Sequence, residues 1–482
     1  MSNEIRTLEP AALWENFADL NAVPRPSKKE ERVIAFMENF GQSLGLSTHT
    51  DEVGNVIMRK PATAGMEDRK TVVLQSHLDM VHQKNANTDF DFLTQGIEMF
   101  IDDDWVKAKG TTLGADNGIG VATIMALLAS KDIAHPPLEA LFTIDEETGM
   151  TGAAGLKGGL LEADIMLNLD TEEDNELTIG CAGGIDVTGT GSYAQEATPA
   201  GMKGYKISVK GLTGGHSGTE IHLGRGNANK LMNRLLYVAG NAHGLRVNAI
   251  DGGSLRNAIP RESFATVAVP EASASDFEAY IASEGKVLCA EYRSTDPDMV
   301  VLLENVDTPE QVAASSFQAD LVRVLYACPN GIFRMSPDIP DLVQTSNNLA
   351  RVQVENGSYS WQCLTRSSVD TEKLDLARMI QATFELAGAE VDASGSYPGW
   401  APRPDSDIVT IMRDLYTELF NDHAHVAACH AGLECGILGT NYPDMEMISF
   451  GPTIRGAHSP DEKVQISSVQ KYWKFLLETL KR

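Results

Sequence analysis

Five side chains that bind metal ions well follow short apolar segments of the sequence. Imidazole and carboxylate ligands suit zinc, cobalt or manganese, whereas an all-oxygen set would indicate magnesium or calcium. These ligands exceed the four of a single tetrahedral site, so the sequence predicts two metal ions. The candidate ligands are His77 in VVLQSHLDM, Asp116 in TTLGADNGIG, Glu147 in LFTIDEETG, Asp170 in IMLNLDTEE and His458 in RGAHSPDE.

The simplest division of these ligands makes Asp116 a bridge between the two ions. His77 and Asp170 then complete one site, and Glu147 and His458 complete the other, each with room for solvent. Three carboxylates against two dications leave one positive charge, which a shared hydroxide would neutralise. We therefore expect a centre that generates its own nucleophile near neutral pH.

Two further acids stand beside these ligands. In His77-Leu78-Asp79 the alternation of a strand puts both polar side chains on one side, so Asp79 is expected to hold the far ring nitrogen of His77. Glu146 precedes a ligand and is assigned as the general base, which takes a proton from the metal-bound water and passes it to the leaving amine. The alternative is a surface acid in an acidic chain.

The elements that must position these groups are strands of an open sheet. Residues 72–75, 140–144 and 165–169 are apolar runs typical of buried strands, and the loops beyond such strands form the ligand crevice of α/β sheets. LGADNGIGVATIMALLAS indicates a Gly-rich turn that opens a helix, whose amides are expected to stabilise the Asp116 carboxylate. It lacks the phosphate-binding patterns G-x-G-x-x-G and G-K-[ST], which argues against a dinucleotide-dependent oxidoreductase.

Taken together, HLD, LGADNG, DEETG, LDTEE and RGAHSP resemble the dinuclear metallopeptidases of the M20 clan, over nearly the whole chain. HLDMVHQKN, GTTLGADNGIG and CHAGLECG resemble one branch most closely, the cytosolic aminoacyl-histidine dipeptidases, also called Xaa-His or β-alanyl-histidine dipeptidases. The resemblance implies a cytoplasmic enzyme that hydrolyses dipeptides with two divalent ions, zinc foremost and cobalt or manganese as alternatives. It also implies a cis peptide bond between Asp116 and Asn117.

The family fold implied is α/β, with a discontinuous catalytic domain whose mainly parallel sheet is flanked by helices. An α+β lid domain of two similar subdomains is inserted in it, and related enzymes form homodimers through this lid. The ligand order requires such an interruption, because Asp170 and His458 are far apart in the sequence. We place the catalytic domain at residues 1–185 and 401–482 and the lid at residues 186–400.

The resemblance also implies roles for residues outside the ligand set. His216, in a Gly-rich turn before an amphipathic helix, matches the family's oxyanion stabiliser, although it could be an ordinary turn histidine. Arg366 is the candidate for the free carboxylate of a dipeptide, with a surface ion pair as the alternative, and Asn257 offers an amide to the peptide. Gly432 and Glu434, in HAGLE, are expected to contact the substrate backbone or amine.

Composition limits the partners. Lys plus Arg number 39 and Asp plus Glu number 67, so the net charge is −28, which argues against nucleic acid and anionic membranes. The first 45 residues carry acids among their apolar residues and predict two helices around a Pro-rich turn rather than a signal peptide or membrane span. Six cysteines without a C-x-x-C pair predict free thiols in a reducing compartment.

Two other functions remain open at this stage. An amidohydrolase of the same metal chemistry would act on N-acyl amino acids or on longer peptides, and only the substrate distinguishes it from a dipeptidase. A non-catalytic metal-binding protein would explain the ligands but would leave Glu146, Asp79 and His216 without a purpose. His423 and His425 form a tempting His-Ala-His pair, but lone histidines are more often satisfied by local hydrogen bonds than ligated.

Overall fold

The computed structural model describes residues 4–482, which form two compact units. The first unit runs to Gly180 and also contains Trp400–Ala428 and Leu433–Arg482. The second unit contains Cys181–Gly399 and the short segment Cys429–Gly432. The first unit is therefore built from three separate stretches of the chain, and the second from two.

The helices are α1 (Ala11–Asn21), α2 (Glu31–Ser43), α3 (Ala115–Ala129), α4 (Thr151–Gly155), α5 (Ala228–His243), α6 (Ala274–Glu291), α7 (Ser315–Ala327), α8 (Asp370–Glu385), α9 (Asp407–Phe420), α10 (Glu434–Asn441) and α11 (Ile466–Thr479). Of the α-helices in residues 4–482, α5 to α8 belong to the second unit and the others to the first. The strands are β1 (Ser47–Thr50), β2 (Val56–Lys60), β3 (Val72–His77), β4 (Met99–Asp102), β5 (Trp105–Ala108), β6 (Leu138–Thr143), β7 (Ile165–Asn168), β8 (Glu176–Cys181), β9 (Gly183–Ser192), β10 (Gln195–Ala197), β11 (Met202–Lys210), β12 (Arg246–Gly253), β13 (Ser263–Pro270), β14 (Val300–Val306), β15 (Gln311–Ala313), β16 (Gly331–Met335), β17 (Val343–Glu355), β18 (Ser358–Ser367), β19 (Glu390–Tyr397), β20 (His425–Cys429), β21 (Glu446–Ser449), β22 (Ile454–Arg455) and β23 (Lys463–Gln465).

The first unit contains an eight-stranded sheet in the order β1-β2-β6-β3-β7-β21-β8-β20. Its centre is parallel, since β3 pairs in parallel with β6 and β7, and β21 pairs in parallel with β7. Antiparallel pairs extend it through β2 and β8. The predicted α/β class is confirmed, and the three strands predicted from apolar runs are β3, β6 and β7.

The central strands β3 and β6 are buried along their whole length and are largely apolar. All six positions of β3 and of β6 are buried, as parallel strands between layers of helix require. Helix α3 packs closely on the strand ends, since a Cβ at Gly120 would lie 2.9 Å from the Leu169 carbonyl oxygen. This close approach places the start of α3, which carries Asp116, beside the ends of β3 and β7.

A smaller sheet of the first unit, in the order β22-β23-β5-β4, pairs residues near position 105 with residues near position 464. Strands β22 and β23 flank the segment that carries His458. The C-terminal stretch is thereby fixed to the N-terminal one by main-chain hydrogen bonds on both sides of a candidate ligand.

The second unit is built on a nine-stranded sheet whose two halves have the same strand order. One half runs β14-β11-β13-β12 and the other runs β19-β9-β18-β17, and antiparallel pairing of β12 with β17 joins them. The ninth strand, β16, lies off this path and pairs with β17. Helices α5 to α8 bury their apolar faces against this sheet, with Leu235, Phe277, Leu321 and Leu376 at the core. Each half is thus a sheet with helices on one face, which is an α+β arrangement.

None of the helices within residues 4–482 combines the length and the apolar character needed to cross a membrane. The two N-terminal helices predicted from the sequence are α1 and α2. The six cysteines, all within residues 4–482, form no disulfide bond, as their spacing predicted.

Candidate metal centre

The structure brings the five predicted ligands of the first unit together as two groups that share Asp116. Asp116 Oδ1 lies 3.1 Å from His77 Nε2, and Asp170 Oδ1 lies 3.5 Å from the same nitrogen. Asp116 Oδ2 lies 3.2 Å from His458 Nε2, which is 2.9 Å from Glu147 Oε2. Within each group the candidate ligand atoms lie within 4.8 Å of one another.

Each predicted ligand lies in or close to the end of a regular element. His77 is the last residue of β3, and Asp170 lies two residues beyond β7. Glu147 belongs to the turn after β6, and Asp116 lies in the first turn of α3, where the peptide bond to Asn117 is cis, as expected. His458 has a positive φ of 63° in the loop between β22 and β23. The ligands from β3, β6 and β7 share the carboxyl edge of the parallel strands, as in other α/β sites.

The protonation of these groups shows what charge the cluster favours. Burial acts to lower the pKa of His77, but the charge of Asp170 and hydrogen bonds with the carboxylates raise it well above its usual value. Hydrogen bonds with Asp116 and Glu147 raise the pKa of His458 to about 11. Burial opposes ionisation of Asp116, yet hydrogen bonds with both histidines hold its pKa well below the usual range. The acids therefore draw positive charge to the site.

The residues present fit two dications. Three carboxylates converge on two imidazoles, and Glu147 Oε1 is buried without a hydrogen-bond partner in the described chain. Burial raises the pKa of Glu147, so this carboxylate lacks enough local positive charge to favour its ionised form. Cations shared across Asp116 would supply that charge and would take the place of the protons on the histidines.

Asp79 connects a ligand to the turn that carries Glu146. Its Oδ1 lies 3.3 Å from His77 Nδ1, as the strand alternation predicted. The same carboxylate accepts the Glu146 N–H at 3.0 Å and the Glu147 N–H at 3.3 Å. Ser27 Oγ donates to its second oxygen at 2.8 Å. One buried carboxylate thus fixes both the imidazole and the following turn.

Glu146 is half-buried beside the ligands, at the place where the sequence predicted the base. Burial raises its pKa well above the usual value, and the nearby charge of His77 acts in the opposite direction. The turn that carries it is held at Asp145, which has a positive φ of 57° and pairs with Lys28. Thr151 Oγ1 also donates to Asp145 at 2.6 Å. Glu146 therefore stands on a well-anchored turn.

Glu434 is buried under the strand ends. Its Oε2 accepts Gln75 Nε2 at 2.7 Å and Thr143 Oγ1 at 2.6 Å. Burial raises its pKa to about 7. Its other oxygen has no hydrogen-bond partner in the described chain, so Glu434 can accept a further hydrogen bond.

Three residues that position the ligands were missed by sequence reasoning. Asn117 Nδ2 donates to the Leu169 carbonyl at 2.8 Å and also to Asp170 Oδ1. Buried Arg25 donates to the carbonyls of Leu78 and Asp79, both at 3.0 Å.

The amides at the start of α3 donate to Glu462 rather than to Asp116, which corrects the expectation that Asp116 is their partner. The sequence signal for Glu462 was its place in RGAHSPDE.

The remaining predicted site residues lie in the second unit. Arg366 is buried, its Nη1 donates to Tyr397 Oη at 2.8 Å, and its Nε has no hydrogen-bond partner in the described chain. His216 lies near it, because a Cβ at Gly218 would be 3.0 Å from His216 Cε1 and 3.1 Å from Arg366 Nε. Arg366 is thus no surface ion pair.

Asn257 and Gly432 complete the predicted set in this unit. The carbonyl of Asn257 accepts the Ser217 N–H at 2.8 Å, so the exposed Asn257 side chain lies beside the turn that carries His216. Gly432 belongs to the segment 429–432, which groups with the second unit although the sequence placed it in the catalytic domain. His423 and His425, set aside as ligands, belong to no candidate metal group in residues 4–482.

Comparison with known proteins shows the family of this chain. The family model for peptidase family M20/M25/M40 matches residues 73–482. The chain belongs to this family. The cytosol non-specific dipeptidase of Escherichia coli (strain K12) is 45% identical over 481 residues, which cover 99% of each chain. The predicted family and the predicted enzyme class, a peptide hydrolase, are confirmed.

Solved structures give the same assignment. The crystal structure of aminoacylhistidine dipeptidase from Vibrio alginolyticus has a TM-score of 0.94 and 46% identity, with 99% of this chain and 97% of that chain covered. A tripeptidase from Staphylococcus aureus has a TM-score of 0.56 and 16% identity over 98% of both chains, and it shows the shared fold alone. This M20 peptidase therefore has close relatives named as dipeptidases over its full described length.

Proposed function

We propose that this M20 peptidase is a dinuclear metallodipeptidase that hydrolyses dipeptides, Xaa-His dipeptides such as β-alanyl-histidine among them. The observation that carries the proposal is the pair of ligand groups sharing Asp116, with Glu146 on the adjoining turn. The printed names of two full-length relatives, a non-specific dipeptidase and an aminoacylhistidine dipeptidase, support the dipeptide substrate.

The five ligands would hold two divalent ions. When bound, the ions polarise the peptide carbonyl and make the attacking water more acidic. Zinc suits two imidazoles and three carboxylates best, and cobalt or manganese would fit the same set. The proposed ligands are His77, Asp116, Glu147, Asp170 and His458.

Glu146 is the proposed general base. It would accept a proton from the attacking water and pass it to the amine that leaves. Its raised pKa favours proton uptake, and the hydrogen bond from its N–H to Asp79 fixes the position from which the side chain extends. Asp79 serves as a positioning residue, because it holds His77 and the Glu146 turn together.

His216 is the proposed oxyanion stabiliser. Its Nδ1 accepts the N–H groups of Gly218 at 3.2 Å and Thr219 at 3.1 Å, which leaves the ring proton on Nε2. Burial and the charge of Arg366 lower the pKa of His216, so the ring is a neutral donor near pH 7. A preorganised N–H donor stabilises a tetrahedral oxyanion by about 3 kcal/mol.

Arg366 is the proposed recognition residue for the free carboxylate of a dipeptide. The buried Nε of Arg366 has no hydrogen-bond partner in the described chain, so the guanidinium can donate to a planar anion such as a carboxylate. Asn257 is proposed to bind the peptide group, and Gly432 and Glu434 are proposed to contact the substrate backbone or amine. These assignments predict that a substrate must carry a free carboxyl-terminal group.

Further properties follow from the same resemblance. We propose a cytoplasmic enzyme, since the Escherichia coli relative is named a cytosol dipeptidase. We also propose a homodimer formed through the second unit. Small peptides would be its partners rather than nucleic acid, because the net charge of −28 repels phosphate backbones.

A substrate panel with added metals tests the proposal. Chelator-treated protein should regain activity on β-alanyl-histidine and other dipeptides after addition of zinc, cobalt or manganese. Matched substrates with a blocked amine or an amidated carboxyl end should be cleaved far more slowly. Equal cleavage of N-acylated substrates would favour the amidohydrolase alternative, and undiminished cleavage of carboxyl-amidated substrates would contradict the role of Arg366.

A further inference from the structure

Glu462 ends the segment RGAHSPDE and is almost fully buried, with 3% of its surface exposed. Its carboxylate accepts four consecutive backbone N–H groups. Oε2 accepts those of Leu113 at 2.7 Å and Gly114 at 2.9 Å. Oε1 accepts those of Ala115 at 2.8 Å and Asp116 at 3.3 Å. The last of these residues is the ligand shared by the two candidate metal groups.

The backbone that receives Glu462 is shaped for a carboxylate. Gly114 has φ 69° and ψ 32°, a left-handed conformation that turns successive N–H groups to one side. Arg25 binds a carbonyl of the same segment, since its Nη2 donates to the Gly114 oxygen at 2.6 Å. Two buried side chains therefore bind the backbone before Asp116. Glu462 accepts hydrogen bonds from its N–H groups, and Arg25 donates a hydrogen bond to its Gly114 carbonyl.

Glu462 and His458 belong to one compact turn. The Ser459 N–H donates to the Gly456 carbonyl at 3.2 Å, and the Glu462 N–H donates to the Ser459 carbonyl at 3.0 Å. The His458 side chain itself is 56% exposed, so packing does little to fix it. The position of His458 relative to Asp116 thus depends on where this turn is anchored, and Glu462 is its buried anchor.

We propose that Glu462 is a positioning residue that sets the spacing between His458 and Asp116, and so the affinity of the metal ion that both would bind. It touches no ligand atom and acts through the backbone of residues 113–116 and the turn 456–462. This inference rests on the metal centre proposed above. It adds a residue outside the five ligands whose loss should weaken metal binding rather than abolish the fold.

Glu139 provides a matched control. It is 2% exposed in the same unit, and its Oε2 accepts the backbone N–H groups of Glu162 at 2.9 Å and Ala163 at 3.0 Å. Its other oxygen pairs with Arg59 at 2.9 Å, and none of these side-chain contacts involves residues 113–116 or the turn 456–462. Glu139→Gln therefore imposes the same kind of structural damage as Glu462→Gln without disturbing the His458 turn.

The experiment measures cobalt and zinc binding to the chelator-treated full chain by competition with a chromophoric chelator. The Co²⁺ absorption spectrum and the metal-free melting temperature are recorded for wild type, Glu462→Gln, Glu462→Asp and Glu139→Gln. We expect Glu462→Gln to weaken one of the two sites about 10- to 100-fold and to change the Co²⁺ spectrum. Glu139→Gln should leave both affinities near their wild-type values, because the Glu139 carboxylate binds Arg59 and the N–H groups of residues 162 and 163 and not residues 113–116. Glu462→Asp, which keeps the charge but is shorter, should fall between them.

Each result decides the matter. Unchanged affinities in Glu462→Gln, or equal losses in Glu139→Gln, would overturn the positioning role. If Glu462→Gln does not fold, Glu462→Asp decides by the same comparison, and wild-type affinities in that variant would overturn the role. A wild-type protein that binds fewer than two ions would instead reject the metal centre, a failure distinct from that of Glu462.

Discussion

Single residues at this candidate centre are fixed by neighbours outside the predicted ligand set. Asp79 illustrates this, because it lies 3.3 Å from the far nitrogen of His77 and accepts the N–H of Glu146. Asn117 likewise donates to the ligand Asp170. Such contacts fix ring orientation and the direction of a lone pair, which is where metal sites gain much of their affinity.

Replacing the proposed base should remove turnover and keep the metal. Glu146→Gln preserves side-chain size but cannot accept the proton, so kcat should fall about 100- to 10,000-fold with KM little changed. Steady-state kinetics with a dipeptide, together with metal analysis of the same sample, measures both quantities. Glu162→Gln, at an exposed position of the same unit, serves as the control. A kcat for Glu146→Gln close to that of the control would remove the base assignment.

At the scale of elements, the strands were predictable and the connections between them were not. β3, β6 and β7 carry apolar runs that end in polar residues, and their observed bounds differ by two residues or fewer from the predicted ones. Three of the predicted ligands, His77, Glu147 and Asp170, lie at or just beyond such strand ends, which is why these apolar runs pointed to them. Glu462 was missed because sequence alone gives no distance between residues 113–116 and 462. For the same reason, the amides at the start of α3 were expected to stabilise the Asp116 carboxylate, whereas they donate to Glu462.

The short segment 429–432 shows another such limit. It is separated in sequence from the rest of the second unit, yet its His430 is buried there, with Nε2 2.8 Å from Ser346 Oγ. Burial, assisted by the charge of Arg366, lowers the pKa of His430 to about 3. A four-residue segment carries no periodicity, so its grouping with a distant sheet could not be read from the sequence.

This histidine should make the protein sensitive to acid. In the unfolded chain His430 takes up a proton below its ordinary pKa of about 6.5, whereas in the folded chain it stays neutral down to about pH 3. Unfolding is therefore favoured as pH falls. At pH 5 the resulting loss of unfolding free energy amounts to about 2 kcal/mol. Denaturant unfolding at pH 7.5 and pH 5 should therefore show a smaller loss of unfolding free energy in His430→Gln than in wild type.

The control for this measurement is His425→Gln, because the His425 side chain is 72% exposed. That variant should keep the wild-type difference between the two pH values. An equal difference in wild type and His430→Gln would show that His430 is not the buried neutral group described above.

At the scale of the whole molecule, the candidate metal centre joins parts of the chain that are almost four hundred residues apart. Its ligands extend from His77 to His458, and three of them are carboxylates in a chain with a net charge of −28. Ligands that repel one another and come from distant segments hold together best with cations between them. Metal binding is therefore coupled to the stability of the first unit.

Metal removal should lower the melting temperature. An ion present at 100 times its dissociation constant stabilises the folded state by about 2.7 kcal/mol, which corresponds to about 5 °C or more for a unit of this size. Differential scanning fluorimetry of chelator-treated protein, with zinc, cobalt or manganese added back, measures the change. Magnesium is the matched control, because it disfavours imidazole ligands. Identical melting curves with and without zinc would contradict a centre built from these residues.

The order of strands in the eight-stranded sheet has a consequence for synthesis on the ribosome. β21, formed by Glu446–Ser449, lies between β7 and β8, which are made almost three hundred residues earlier. Until β21 has emerged, the facing edges of those two early strands have no neighbour. Unpaired strand edges are templates for aggregation. We therefore expect the nascent chain to need protection at this gap while the residues between β8 and β21 are synthesised.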